Sequence, residues 1–289
     1  MTAILPLYSP LRFRGGLETV VTELIGRDGN PLPEQEWRRG VEWTNMATGD
    51  TFTSGMGGGS WGQITLGDEK PVNPNPGSEV FQPVSLGAIF ECQMQAPNGV
   101  QGDVSRQRAL ALLERKGMSD LARILYDGEA YTCAAPDGSD PNPGLIALAE
   151  SLTPVGPGSI RGAFQGLLGA VCETWHADPV FLIPREFMPH FLDEVVKWDE
   201  ATGSFRFGPY RVAFDCFPNV APTAGGTTAV DGSEVWVYAM MPPAVALGES
   251  VAADGVRAEL RNHYTFRAER EAIVAFDTTR VLAAKALVG

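Results

Sequence analysis

Residues 41–77 set the strongest constraint on the fold. Val41-Glu42-Trp43 alternates apolar and polar side chains, Thr51-Phe52-Thr53 is rich in β-formers, and Trp61 to Leu66 resumes the extended pattern. Between these arms runs Ser54-Gly55-Met56-Gly57-Gly58-Gly59-Ser60, a flexible tip. Pro71-Val72-Asn73-Pro74-Asn75-Pro76-Gly77 follows as a stiff linker with neither helix nor strand potential. The stretch reads as a long β-hairpin with little apolar surface of its own. A hairpin alone is marginal in water and needs a partner surface. Nothing adjacent in sequence supplies one, so the partner has to come from elsewhere, as it does in an assembly subunit.

The rest of the chain supplies ordinary elements around this hairpin. Residues 1–30 read as an extended arm with one short helix in the apolar stretch Leu17 to Ile25. Val80-Phe81 and Val84 to Cys92 read as buried strand. Asp103 to Tyr126 is the best helix, capped by Asp103, striped by Leu110, Leu113, Gly117, Leu121 and Leu125, and stopped by Gly128. Ala134 to Gly144 is a polar, proline-rich loop, and Leu145 to Leu152 a short helix. Ser159 to Trp175 is an amphipathic helix, Pro179 to Pro184 an apolar strand, and Arg185 to Trp198 a helix broken near Pro189. Strands are expected at Tyr210 to Phe217 and Glu234 to Met240, with a glycine-rich loop at 223–231 between them. Val256 to Phe276 is extended, and Thr279 to Leu287 closes the chain. Strands and helices do not alternate regularly, which predicts an α+β fold.

Composition excludes several function classes. The formal net charge is −13, so the chain lacks the basic surplus of a protein that grips nucleic acid through its folded surface. No run of 18 apolar residues is present, so no membrane span is expected. Cys92, Cys133, Cys172 and Cys216 form no C-x-x-C pair and read as reduced thiols. His176, His190 and His263 show no metal-ligand spacing, so neither metal nor cofactor is expected. Gly58-Gly59-Ser60-Trp61-Gly62 matches G-x-S-x-G, which on a strand-to-helix elbow would make Ser60 a hydrolase nucleophile. Here no apolar strand precedes it and no helix follows, so it reads as the loop tip, and the chain as a non-enzyme. Only four of the 22 basic residues are lysines, which with the Ala and Gly content points to a GC-rich coding sequence.

In order and pattern the chain resembles the major capsid proteins of tailed double-stranded-DNA bacteriophages with the Hong Kong 97-type fold. Gly40 to Gly49 with the glycine-rich hairpin looks like that family's extended loop, and Phe81 to Cys92 like the first strand of its peripheral domain. Ala109 to Gly128 is similar to its spine helix, Pro179 to Trp198 to its axial domain, and Arg257 to Leu287 to the returning peripheral strands.

The resemblance implies an N-terminal arm over 1–40, lying along an adjacent subunit, and an extended loop and linker over 41–79. It implies a peripheral domain with spine helix over 80–133, an axial domain over 134–247 and a peripheral return over 248–289. It further implies a structural subunit that self-assembles into hexamers and pentamers of an icosahedral capsid enclosing DNA without reading its sequence. Separate scaffolding, portal and decoration proteins would be partners, and the virion the location, after assembly in the cytoplasm of an actinobacterial-type host. Candidate inter-subunit residues are Arg38, Arg39, Trp43, Phe52, Trp61 and Lys70. Some family members cross-link a loop Lys to an Asn with the help of a Glu. Lys70, Asn262 and Glu269 or Glu271 do not align to that trio, and ordinary salt bridging or solvation is expected of them instead. An encapsulin-like cellular compartment shell shares the fold and stands as the alternative, with a Ser60 hydrolase behind it.

Overall fold

The computed structural model describes residues 15–26, 29–44, 78–93, 100–128, 142–152, 158–174, 178–223, 232–258 and 263–288. The chain enters through a 3-10 turn at Leu17–Thr19, strand β1 (Thr22–Glu23), helix α1 (Glu34–Trp37) and strand β2 (Val41–Thr44). Strands β3 (Ser78–Phe81) and β4 (Val84–Gln93) lead to the long helix α2 (Val100–Asp127). Then come α3 (Leu145–Leu148), β5 (Glu150–Leu152), α4 (Ile160–Thr174), β6 (Val180–Pro184), a 3-10 turn at Arg185–Phe187 and α5 (Met188–Glu194). Eight strands finish the chain: β7 (Lys197–Asp199), β8 (Ser204–Phe207), β9 (Tyr210–Asp215), β10 (Glu234–Met240), β11 (Ala244–Leu247), β12 (Val251–Ala258), β13 (His263–Ala275) and β14 (Val281–Leu287).

Two sheets organise these elements. In the five-stranded sheet, β13 is the spine. It runs antiparallel to β4 from His263↔Gln93 to Ala272↔Val84, and to β12 and β11 on its other side, while β1 adds parallel to β11. The seven-stranded sheet has the order β5-β14-β10-β6-β9-β8-β7. Strand alternation in its centre divides the core. Phe181, Ile183, Val235, Val237 and Ala239 pack with Ile160, Phe164, Leu167 and Val171 of α4. Val180, Leu182, Trp236, Tyr238 and Met240 face the other way, into the core that α2 and the five-stranded sheet share. Central strands covered on both faces read as continuous apolar runs, which is why β6 and β10 were expected where they lie. Phe164 anchors the smaller core, with ring centroids of Phe207, Phe181 and Phe191 at 4.3, 4.7 and 6.0 Å.

Helix α2 starts at Val100, three residues ahead of the expected cap. Asp103 instead sits in the first turn and pairs with Arg106 at 2.8 Å, where its charge still favours the helix N-terminus. Twenty-eight residues give a helix of about 42 Å at 1.5 Å per residue. Ala109, Leu113, Leu121 and Leu125 are buried along one side, with Leu110 half-buried.

Other expectations are corrected. Leu145 to Leu152 is not one helix. Ala149 turns extended, and Glu150–Leu152 pairs parallel to β14. The helix expected to reach Trp198 ends at Glu194, before the β-branched pair Val195-Val196. Trp198 lies on β7 opposite Phe205, with its ring 4.8 Å from that partner. Within the expected arm, residues 15–37 lie against their own chain. Leu17, Val20, Leu24 and Trp37 are buried in their own chain's core. The span 248–289 does not return as one unit, because β14 is an inner strand of the seven-stranded sheet between β10 and β5. Conversely β11, inside 134–247, belongs to the five-stranded sheet, and β3 crosses the 79/80 boundary to pair with β2. The hairpin arms and tip at 45–77 and the loop at 224–231 lie outside the described residues.

Candidate functional site

The described part of the loop is its base, and the base is firmly built. Helix α1 buries the Trp37 indole, and the chain turns at Gly40 into β2. Four antiparallel rungs, Val41↔Phe81 to Thr44↔Ser78, close the ribbon from which residues 45–77 depart. Phe81 is fully buried, with its ring 5.3 Å from that of Phe276. The next residue, Gln82, is clamped by a side chain from 60 residues away. Its N–H donates to Asn142 Oδ1 at 2.7 Å, and Asn142 Nδ2 donates to its carbonyl at 2.9 Å. The carboxamide thus replaces one rung of a β-ladder. Asn142 is buried, so either bond left unmade would strand a polar group away from water.

Asn142 is held in turn by a close crossing of backbones. Gly128 ends α2 with φ +73, and a Cβ there would lie 2.6 Å from the Asn142 carbonyl oxygen and 2.8 Å from Gly144 N. The stop after the long helix therefore fixes the clamp of the loop base.

A second junction ties the two sheets together. The carboxylate of Asp215, at the end of β9, accepts the Leu17 N–H at 2.8 Å, the Ser119 hydroxyl of α2 at 2.9 Å and the Cys216 N–H at 2.8 Å. Gly15 accepts the Phe214 N–H at 2.8 Å, and Thr22 N–H donates to the Pro243 carbonyl at 2.8 Å. Residues 15–24 are thus a strap running from β9 in one sheet to β11 in the other.

The residues singled out in the sequence separate clearly. Arg38 pairs at the surface of its own chain, reaching Glu34 at 2.8 Å and Glu271 of β13 at 2.6 Å. Both pairs are half-exposed, so they orient α1 more than they stabilise it. Arg39 is exposed, and Trp43 is half-buried against the core. Phe52, Ser60, Trp61 and Lys70 lie outside the described residues, as does Asn262. Glu269 pairs with Arg267. Sequence reasoning missed Asn142, Asp215 and the Glu114–Arg270–Ser250 network that binds α2 to β13 and the residues before β12. Only the flanking prolines of Pro141-Asn142-Pro143 hinted at the first.

Among the described residues, no group of three His, Cys, Asp or Glu could hold a metal ion. Cys172 and Cys216 are free thiols at the surface. A cavity of ≈600 Å³ between strap, α1, α2 and β11 is lined by Val21, Leu24, Trp37 and Met118, with Glu114 and Arg270 already engaged with each other.

The ionisation of two tyrosines gives a direct test of the shared core. Tyr126 and Tyr238 both donate to the Val220 carbonyl, at 3.3 and 2.8 Å, with their rings 4.8 Å apart. Burial pushes both phenols up, Tyr238 to about 12. Unfolded tyrosine titrates near 10, so above that pH the unfolded state gives up protons that the folded state keeps. Stability therefore falls as pH rises through this window, by about 1.4 kcal/mol per unit for each phenol. Urea unfolding at pH 9 and pH 11 should show this loss, and Tyr238→Phe should remove roughly half of it. An unchanged slope in Tyr238→Phe would place that phenol in water.

No protein-family profile matches the sequence, and no curated protein matches it. Solved structures do match. The capsid of an empty GTA particle superposes with a TM-score of 0.57 and 12% identity, over 96% of this chain and 91% of that one. A structure from Mycobacterium phage Bobi gives 0.51 and 11% over 98% and 94%. One from Mycobacterium phage Ogopogo gives 0.50 and 12% over 95% and 93%. The chain has the fold of these proteins, the α+β Hong Kong 97-type architecture that its order of elements resembles.

Proposed function

We propose that the chain is the structural shell subunit of a bacteriophage-type capsid, assembling with copies of itself into hexamers and pentamers of an icosahedral particle that encloses double-stranded DNA. The observation that carries this is the fold match to a particle capsid over nearly the whole chain, together with the four-rung ribbon that joins the two ends of residues 45–77. Residues 45–77, with Phe52, Trp61 and Lys70, lie over a neighbouring copy in this reading, and Trp43 and Arg39 flank the place where they leave the body. An extended segment that cannot bury itself gains its area across such an interface. The chain does its work by contact rather than catalysis, and needs no cofactor. The acidic balance suits the wall of a container whose polymer has to slide. Scaffolding, portal and decoration proteins are its further partners, and the virion its location, after assembly in the host cytoplasm.

Negative-stain electron microscopy of the purified protein tests this. Closed particles with icosahedral symmetry are expected. A monodisperse monomer at all concentrations overturns the reading. Particles filled with a protein cargo and lacking DNA in the source cell would favour the compartment-shell alternative.

A further inference from the structure

Strand register lines up three cations at the open end of the seven-stranded sheet. Lys197 on β7 stands opposite Arg206 on β8, and Arg206 stands opposite Arg211 on β9. Register partners share a face, so the three side chains leave the same side of the sheet. Like charges placed directly opposite are destabilising. The chain relieves this only in part. Asp199, two residues along β7, pairs with Arg206 at 2.9 Å, and Arg211 donates to the Thr19 carbonyl at 3.3 Å. Burial, and then the Arg206 charge, pull the Arg211 guanidinium below its ordinary value. Lys197 is exposed on the terminal strand. It also lines a shallow cavity of ≈370 Å³ with Arg161, Gln165, Val195 and Phe207; among the described residues that lining holds two cations and no carboxylate. Beside it, Trp198 is 38% exposed.

We propose that this edge, centred on Lys197 and Arg161, receives carboxylate side chains from a second copy of the chain. The inference rests on the shell reading and names a contact within it. Charge complementarity selects the occupant. The chain has 35 acidic and 22 basic residues, so a positive edge is complementary to the net negative charge of its own copies. Phe207, which lines the cavity, adds the aromatic character in which interfaces are enriched. The last strand of a sheet is moreover an edge that natural proteins either cover or charge.

The test uses the full chain and the variant Arg161→Glu/Lys197→Glu, both sites being exposed. Thermal melting is expected to match wild type. Assembly, followed by light scattering and sedimentation at ~0.05 and ~0.5 M salt, separates the two proteins, because screening weakens the attraction in one and the repulsion in the other. The concentration at which particles form should rise about tenfold in the variant at low salt, and salt should narrow that gap between the two proteins. Arg161→Gln/Lys197→Gln should fall between them, which keeps the test open if reversal disturbs folding. A variant that assembles at the wild-type threshold with the wild-type salt response overturns the inference alone, and leaves Lys197 as a mere guard of the sheet edge. A variant that assembles normally but no longer retains double-stranded DNA assigns the edge to nucleic acid, and overturns it too. Wild-type protein that stays monomeric overturns the shell reading and this contact together.

Discussion

Gly128→Ala is expected to cost about 3–5 kcal/mol, enough to remove much of the stability of an ordinary domain. Two effects add. A non-glycine residue in the left-handed region costs roughly 1–2 kcal/mol by itself. The new Cβ would also lie 2.6 Å from the Asn142 carbonyl oxygen and 2.8 Å from Gly144 N, both backbone atoms that cannot swing aside. Moving them shifts Asn142, and with it the two hydrogen bonds to Gln82 that clamp the loop base. Gly203 supplies the control. It has φ +62, and a Cβ there meets nothing within 4 Å. Gly203→Ala should therefore show only the backbone part, about 1 kcal/mol. Urea unfolding of wild type and the two variants measures the difference. Equal losses at both positions would mean that the crossing at residue 128 is not tight and that the loop base does not depend on it.

The contrast between these glycines shows what the sequence carried and what it did not. Gly128 was legible as a helix stop, because a striped helix ended there. That the same residue lies against Asn142 was not, since the contact joins segments that no local pattern relates. Strand β10 was legible to the residue, Glu234–Met240, because a strand buried on both faces is one unbroken apolar run. Strands β7, β8 and β11 have only three or four residues, too few for a period to show. The apolar stretch Leu17 to Leu24 was visible, but apolarity does not say whose surface it meets. The hydrogen bonds from Thr22 to Pro243, 221 residues away, decide for its own chain. The sheet that the closing strand β14 joins was hidden for the same reason, because its seven rungs with β10 are entirely non-local. Of the candidate inter-subunit residues, Arg38 pairs within its own chain, with Glu34 and Glu271.

The strap gives the second large effect. Asp215→Ala removes the acceptor of three hydrogen bonds at once, from Leu17 N–H, the Ser119 hydroxyl and Cys216 N–H. Bonds to a carboxylate are worth roughly 1.5–3 kcal/mol, and the Leu17 donor is left buried without a partner. A loss of about 4 kcal/mol follows, or roughly 10 °C in melting temperature for a chain of this size. Asp215→Asn keeps the shape but offers one acceptor oxygen in place of two, and turns an amide N–H toward groups that are themselves donors, so it should lose about half as much. What separates a strap from a mere core defect is where the loosening appears. Leu17, Val20 and Leu24 are buried only while residues 15–24 bridge β9 and β11. Hydrogen exchange in Asp215→Ala should therefore rise first at Leu17 to Leu24, well ahead of β6 and β10 in the centre of the seven-stranded sheet. Residues 15–24 should also gain a cleavage site in limited proteolysis that wild type lacks. Exchange that rises evenly across both sheets would show that Asp215 supports the fold as a whole and that no separable strap joins its halves.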